Sequence, residues 1–289
     1  MPARGRRDPA VSTSTEPTPV ALEVRGLCRT FGDHKAVDDV GFTLPPGGSL
    51  GIVGESGSGK TTTARMLVGL ETPDAGSITV DGHERAHRPR TRAERLARAR
   101  EIQMVFQDPY LSLDPRITVH DSIDEVLRLH APEADRPGRA ARLAELLDQV
   151  GLGTREAGAL PRRLSGGQRQ RVAIARALAA SPRVLILDEA VAALDVSIQA
   201  QILDLLARIR REQGIGYLFV SHDLAVVRHI TDDVVVLRNG RIVESGRTAD
   251  VLSAPQHPYT RLLIDSVPGV GWDPERIAEN RRALAAPEA

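Results

Sequence analysis

The sequence predicts an α/β fold built around a parallel β-sheet, and three observations support this prediction. Short apolar segments alternate along the chain with longer segments of helical periodicity. The segment Val184–Leu187 is continuously apolar, as expected of a strand buried on both faces of a parallel sheet. A glycine-rich turn joins the small and apolar segment Ser49–Val53 to the helix-like segment Thr61–Leu70.

Composition restricts the class of protein. The chain has 289 residues, 41% hydrophobic and 26% charged, which is ordinary for one globular domain with an appendage. Its formal net charge is zero, so nothing at this level indicates a nucleic-acid partner. The single cysteine, Cys28, cannot form an internal disulfide, which favours a reducing compartment. No apolar run approaches the roughly 18 residues that span a bilayer, and no secretory signal is expected.

The elements follow in order from a polar N-terminal segment. Residues 1 to about 20 are rich in Pro, Ser, Thr and Arg, and we predict that they form a disordered tail. Strand-like patterning begins at Ala21. The later predicted strands are Val37–Leu44, Ser49–Val53, Ser77–Val80, Ile102–Phe106, Val184–Leu187, Tyr217–Val220, Val234–Leu237 and Arg241–Val243. The predicted helices are Thr61–Leu70, at least two within 118–151 split by Pro137 and Gly138, Ser165–Ala180 and Val196–Arg211.

The basic, helix-prone segment 84–100 raises the question of nucleic-acid binding. Glutamates such as Glu84 and Glu94 are interspersed with its arginines, and aromatic residues for base stacking are absent. A solvated helical face is the favoured interpretation. We therefore predict no nucleic-acid partner.

The glycine-rich turn between a strand and a helix predicts a phosphate-binding loop. The loop consists of Gly54, Glu55, Ser56, Gly57, Ser58, Gly59, Lys60 and Thr61, which fit G-x-x-x-x-G-K-[ST]. Thr62 follows directly. Glycines let successive N–H groups turn toward anionic oxygens, and the helix N-terminus adds partial positive charge. We expect Lys60 to reach the β- and γ-phosphates and the Thr61 hydroxyl to ligate Mg²⁺. The alternative is a chance turn, and the motif alone fits a kinase, a GTPase, a motor or a transporter ATPase.

Two acids end the buried strand Val184–Leu187. An acid at the carboxyl end of a sheet strand faces the ligand crevice, so Asp188 is placed to hold magnesium, usually through water. Glu189 follows directly and is placed to polarise the attacking water. The alternative for the pair is a solvated strand end.

The segment Leu164-Ser165-Gly166-Gly167-Gln168 resembles the signature sequence of ATP-binding-cassette (ABC) ATPases. A serine and two glycines at the start of a helix form a second anion-binding helix terminus. This terminus is not expected to reach Lys60 of its own chain, and it fits a cap on the nucleotide held by another copy. The alternative is an ordinary serine N-cap.

The resemblance assigns roles to four further residues. It implies that Phe31 stacks on adenine, Gln107 touches the magnesium site, Asp195 of Ala193-Leu194-Asp195 crosses a dimer interface, and His222 contacts the γ-phosphate. A core position is the alternative for Phe31, and a structural or surface role is the alternative for His222. The family commonly has Pro and small hydroxyl residues where this chain has Ala190-Val191-Ala192, and this departure could tune coupling between the two sites.

Residues near the C-terminus point to one branch of the family. The sequence resembles the oligopeptide/dipeptide (and nickel) importer ATPases at two C-terminal segments, His257–Thr260 and Val267-Pro268. The earlier segments Ser112–Arg116 and Thr118-Val119 share this resemblance. Some members bind an iron–sulfur cluster through C-terminal cysteines, and this chain has none there. A metal role for His257 is not favoured, because no partner ligand is near.

The resemblance implies a P-loop NTPase cassette with a RecA-like parallel-sheet core, an antiparallel β subdomain, an inserted helical subdomain and a short extension. The expected divisions are 21–250 for the ATPase domain, about 108–165 for the helical subdomain and 251–289 for the extension. The implied function is ATP hydrolysis that powers peptide import. A nickel or other small-solute importer, a non-transport ABC ATPase and a regulatory module without turnover are the alternatives.

The same resemblance implies cofactors, partners and a location. ATP and Mg²⁺ are the expected ligands. The expected partners are a second ABC ATPase subunit, usually a different chain in this branch, two transmembrane permease subunits and an extracytoplasmic substrate-binding protein. The chain is then expected to be peripheral, on the cytoplasmic face of the cell (inner) membrane.

Overall fold

The computed structural model describes residues 20–85, 89–108 and 112–267 of the chain. The predicted N-terminal tail, apart from residue 20, lies outside this part, as does the predicted extension beyond residue 267. The strands are β1 Leu22–Phe31, β2 His34–Leu44, β3 Ser49–Val53, β4 Ala75–Val80, β5 His83–Glu84, β6 Ile102–Val105, β7 Val184–Asp188, β8 Gly216–Val220, β9 Asp233–Arg238 and β10 Arg241–Arg247. The helices are α1 Lys60–Val68, α2 Arg92–Glu101, α3 Val119–His130, α4 Arg136–Gln149, α5 Thr154–Ala157, α6 Gly166–Leu178, α7 Val196–Gln213, α8 Leu224–Ile230, α9 Thr248–Ser253 and α10 Pro258–Asp265.

A six-stranded sheet forms the centre of the molecule, in the order β10-β9-β3-β8-β7-β6. Its strands pair in parallel except for β10, which pairs antiparallel with β9 across a tight turn. Alternate residues of β7 enter different core clusters, with Val184 and Ile186 on one face and Leu185 and Leu187 on the other. The predicted burial of this strand on both faces is therefore confirmed.

A four-stranded antiparallel sheet, β2-β1-β4-β5, covers one side of this centre. Its apolar side chains share a core cluster with α1 and with one face of the parallel sheet. The strand predicted over Val37–Leu44 begins earlier, at His34, because its first residues pair with the end of β1. The predicted α/β fold with a parallel core and an antiparallel sheet is confirmed.

Helices α3 to α6 form a block packed on the other face of the parallel sheet. The prediction that Pro137 and Gly138 split this region is wrong in position, because both lie in the first turn of α4. Proline is tolerated there because its missing N–H has no partner within the helix. Asp135 caps α4 by accepting a hydrogen bond from the Gly138 N–H at 2.8 Å, and the break lies between α3 and α4.

The basic segment is only partly a solvated face. Arg85 and Arg98 are buried, with 6% and 8% of their surfaces exposed. Arg85 donates to the carbonyl oxygens of Leu67 at 2.5 Å and Arg98 at 2.9 Å, and pairs with Glu101 at 2.9 Å. Part of the positive charge therefore serves to join α2 to the end of α1.

The helices α8, α9 and α10 were not predicted, because each has only six to eight residues, too few to show a helical period. They pack with β3, β9 and one another around a small third core cluster. Among the helices described, none is both long and apolar enough to cross a membrane.

Candidate nucleotide-binding site

The phosphate loop has its shape because three of its glycines take conformations that other residues avoid. Gly54, Gly57 and Gly59 have φ values of 152°, 82° and 103°. A Cβ on Gly54 would lie 2.2 Å from the Leu237 carbonyl oxygen, and one on Gly59 would lie 2.4 Å from the Ala36 carbonyl oxygen. The loop is therefore packed against neighbouring backbone and leads directly into α1.

Lys60 turns back over this loop. Its ammonium donates to the carbonyl oxygens of Gly54 and Glu55, both at 2.8 Å, and the residue is 6% exposed. Burial lowers the pKa of Lys60, although Glu189, Asp188 and Glu55 act against that shift. The ammonium thus lies where an anionic ligand of the loop would meet it.

The acid at the end of β7 lies next to the first turn of α1. The Thr61 hydroxyl donates to the Asp188 carboxylate at 3.4 Å. Burial raises the pKa of Asp188, and the charge of Glu189 acts in the same direction. The Thr61 hydroxyl oxygen and an Asp188 carboxylate oxygen therefore lie together. Burial disfavours the negative charge of the carboxylate.

Glu189 and His222 form the opposite side of the site. Glu189 has a φ of 49°, in the left-handed region, and its N–H donates to the Val220 carbonyl oxygen at 2.9 Å. Its carboxylate oxygen lies 3.0 Å from the His222 Nδ1. The end of β7 and the segment after β8 therefore present a carboxylate and an imidazole together.

Lys60, Thr61, Glu189 and His222 line one cleft with a volume of about 620 Å³. Its lining residues are Phe31, His34, Ala36, Ser56, Gly57, Gly59, Lys60, Thr61, Thr62, Glu189 and His222. Phe31 is 42% exposed, so the core alternative is wrong, and the Arg29 guanidinium lies 4.6 Å from its ring centroid. Sequence reasoning missed His34 and Ala36, which adjoin Phe31 because β1 turns directly into β2.

The predicted contributors Gln107 and Asp195 are not among the described residues that line the cleft, and neither is Asp188, which adjoins it through Thr61. Gln107 is exposed two residues beyond β6, and Asp195 is exposed immediately before α7. β6 pairs with β7 through Val105 and Leu187, so Gln107 follows the same edge of the sheet as Asp188. The predicted roles of Gln107 and Asp195 therefore require either a movement of the chain or a second molecule.

The serine–glycine segment also lies apart from this cleft. Ser165 is the N-cap of α6: its hydroxyl accepts from the Gln168 N–H at 3.2 Å, and the Gln168 side chain accepts from the Ser165 N–H at 2.9 Å. A Cβ on Gly167 would lie 2.6 Å from Ile198 of α7, so the glycine allows close packing of the two helices. Ser165 is exposed at the helix end. The N-cap interpretation is thus correct for the single chain and leaves the anion-binding prediction open.

Comparison with known families decides the classification. Residues 37–192 match the model of the family described as "ABC transporter". The chain belongs to the ABC transporter family. Residues 243–288 of this cassette match a second model, "Oligopeptide/dipeptide transporter, C-terminal region".

Individual proteins agree with this classification. The cassette is 43% identical to the oligopeptide transport ATP-binding protein OppF of Bacillus subtilis, over 88% of this chain and 85% of OppF. It is 49% identical to the glutathione import ATP-binding protein GsiA of Pectobacterium atrosepticum over 93% of this chain, but spans only 42% of GsiA. Its fold matches the ATP-binding cassette MJ0796, solved as a dimer in a post-hydrolysis state with ADP and Pi, with a TM-score of 0.69, 28% identity and coverage of 78% of this chain and 98% of that one.

The donors around Asp188 fit a magnesium ion. Mg²⁺ prefers hard oxygen ligands and is usually bound through one or two protein oxygens plus phosphates and water. The Thr61 hydroxyl and the Asp188 carboxylate supply two such oxygens at the mouth of the phosphate loop. A bound cation would also offset the burial and the Glu189 charge that raise the pKa of Asp188.

The pKa shift of Asp188 predicts how a neutral substitute affects stability. A carboxyl whose pKa is raised by folding stabilises the fold below its ordinary value of 3.8 and loses that contribution as pH rises through the raised value. Asp188→Asn should therefore raise the unfolding temperature of the nucleotide-free protein at pH 7, and the gain should shrink as pH falls toward 4. Thermal unfolding followed by circular dichroism at several pH values measures this. Asp148→Asn, at an exposed position on α4, is the control, and equal effects of the two substitutions at pH 7 would contradict the prediction.

Proposed function

We propose that this chain is an ATP-hydrolysing subunit that powers peptide import through separate membrane-spanning permease subunits. One observation carries the proposal: Lys60, Glu189 and His222 line the cleft of a phosphate loop, and Asp188 adjoins that cleft through its contact with Thr61. The match of residues 243–288 to the oligopeptide/dipeptide transporter region supports the transport role.

In this proposal Glu189 is the general base. Its carboxylate lines the cleft, and the left-handed backbone and the His222 imidazole hold its direction. It accepts a proton from the water that attacks the γ-phosphorus, while His222 and Lys60 stabilise charge on the transferring group. Phe31, partly exposed at the cleft, stacks on the adenine, and such stacking is worth about 1–3 kcal/mol.

The Thr61 hydroxyl and the Asp188 carboxylate would hold Mg²⁺, and Gln107 would join them from the neighbouring strand end. When bound, the ion would neutralise negative charge on the phosphate groups. The chain's own contribution is to place two oxygens beside the loop and to exclude bulk water from Asp188, which is 7% exposed.

A second cassette completes the site in this proposal. Ser165 at the helix terminus is exposed, and Ser165–Gln168 are not among the described residues that line the cleft of their own chain, so this helix end is accessible to another molecule. Asp195 is exposed, and the side chain of its neighbour Leu194 would lie 3.6 Å from a Cβ on Gly166, so Asp195 would lie in the same interface. The dimeric state in which MJ0796 was solved with ADP and Pi supports this arrangement.

Peptides are the proposed cargo class because of the relatives of this chain. OppF is named for oligopeptide transport and GsiA for glutathione import, and glutathione is a small peptide. Such a role places the chain on the cytoplasmic face of the inner membrane, bound to two permease subunits and served by an extracytoplasmic binding protein. The second cassette of the assembly is then a related chain or another copy of this one.

Glu189→Gln tests the assignment of the base. We expect the variant to bind ATP and to dimerise, but to hydrolyse about 10²–10⁴-fold more slowly, because the amide cannot accept the proton. Phosphate release by the assembled complex measures the rate. Glu212→Gln, at an exposed position on α7, should retain the unmodified rate. Unchanged hydrolysis by Glu189→Gln would show that another group is the base.

Ser165→Arg tests the shared site. The bulky cation at the start of α6 should block closure over a second molecule, so ATP-driven dimerisation is lost while ATP binding by the single chain persists. Sedimentation with MgATP, in a Glu189→Gln background and with the copurified partner cassette, separates the two effects. Ser253→Arg, at the end of α9, is the control for added charge. Normal dimerisation of Ser165→Arg would exclude the proposed sandwich.

The cargo proposal is tested with the complex that copurifies with this chain. Reconstituted in liposomes with its permease and binding protein, the complex should hydrolyse ATP faster when di- to pentapeptides are added than without them. As controls, ATP hydrolysis is measured with nickel ions or free amino acids added in place of the peptides. Stimulation by nickel alone would replace the peptide assignment with the metal importer alternative.

A further inference from the structure

Tyr259 joins the described part of the C-terminal segment to the phosphate loop. Tyr259, in the first turn of α10, is 2% exposed. Its hydroxyl oxygen accepts a hydrogen bond from the Glu55 N–H at 2.9 Å. The two residues are separated by 204 positions in the sequence, so this contact depends on how α10 is packed.

The Tyr259 ring is fixed on its sides. It belongs to the core cluster that also contains Val53 at the end of β3 and Val236 of β9. The Arg238 guanidinium lies 5.1 Å from the ring centroid, within the range of a cation–π interaction. A buried ring held in this way presents its hydroxyl at one place only.

Glu244 of β10 holds the start of α10. Its carboxylate accepts hydrogen bonds from the Gln256 N–H at 2.8 Å and the His257 N–H at 3.0 Å. His257 in turn caps the helix, since its Nδ1 accepts from the Tyr259 N–H at 3.1 Å. The carboxylate thus fixes the helix end that carries the tyrosine, and His257 serves as an N-cap.

The residue held by Tyr259 is also one that Lys60 contacts. The Glu55 carbonyl oxygen accepts from the Lys60 ammonium at 2.8 Å and from the Ser58 N–H at 3.2 Å. The Ser58 carbonyl oxygen accepts from the Gly240 N–H at 3.0 Å. The loop is therefore held at Glu55 by α10 and at Ser58 by the turn between β9 and β10.

We propose that Tyr259 is a positioning residue of the nucleotide site. Its hydroxyl holds the Glu55 peptide group, and through it the phosphate loop, in the shape that accepts phosphate. The C-terminal segment that matches the transporter-specific region is then a structural part of the ATP site. This inference rests on the proposed ATPase function.

Tyr259 acts on ATP binding and not on the hydrolysis step, because it raises the fraction of molecules whose phosphate loop has the shape that binds ATP. Apparent affinity is the intrinsic affinity reduced by the fraction of molecules in the competent shape. Loss of the hydroxyl lowers that fraction and leaves the Glu189 side of the cleft unchanged. Affinity for ATP should therefore fall while the rate at saturating ATP is kept.

Tyr259→Phe is the decisive variant, since it retains the buried ring and removes only the hydroxyl. We expect MgATP to bind about 3- to 10-fold more weakly, as for the loss of one hydrogen bond. The KM for ATP of the assembled complex should rise by a similar factor, with kcat changed less than about twofold. Without nucleotide, hydrogen exchange of the peptide covering the phosphate loop should be about 3- to 10-fold faster. Circular dichroism checks that the variant is folded.

One comparison isolates the contact. Tyr217 is fully buried in another core cluster, and its hydroxyl has no hydrogen-bond partner in the described structure. Tyr217→Phe should leave ATP affinity and loop exchange unchanged.

The outcomes separate this inference from the proposed function. Unchanged ATP affinity and loop exchange in Tyr259→Phe overturn the positioning role and leave the ATPase proposal intact. Equal effects of Tyr217→Phe and Tyr259→Phe overturn it as well. If the unmodified chain does not bind ATP, the proposed function fails and the inference fails with it.

Discussion

The register of three parallel strands determines where the chemistry of this cassette lies. Ile52 of β3 and Asp188 of β7 both pair with Val220 of β8, so the three strands end at one level. The residues that follow these strands are therefore neighbours in space, although they are far apart in the chain. A slip of one residue in either pairing would separate the loop lysine, the acids and the histidine, and would also turn each strand's side chains to the wrong core.

Burial of unlike charges around the loop gives the site its electrostatic character. Burial is the largest influence on both Lys60 and Asp188, and it disfavours the charged form of each. Glu189 adds a second negative charge beside Asp188, which makes a cation favourable there. The arrangement reduces the stability of the empty protein in return for affinity, as is common where binding groups are preorganised.

The sequence predicted the elements whose signals are local and left out those that depend on distant contacts. The phosphate loop, the acids that end β7 and the histidine after β8 each follow an apolar strand, so strand patterning placed them at one edge of the sheet. The burial of Arg98 against Arg85 and the position of Pro137 inside α4 depend on packing and capping that no short pattern reports. The Tyr259 contact with the loop likewise joins segments that no window of sequence contains together. The shared site with a second chain lies beyond any single chain and stays a prediction.

An anion that enters the empty loop has to compete with the protein itself. The Lys60 ammonium already bonds two carbonyl oxygens, Gly54 and Glu55, and both are released when the ammonium moves to a ligand. Free orthophosphate offers one small group of oxygens in exchange, whereas a nucleotide polyphosphate extends along several N–H groups and the start of α1. The two hydrogen bonds of Lys60 therefore oppose the binding of orthophosphate more than that of a nucleotide polyphosphate, which makes more contacts in exchange.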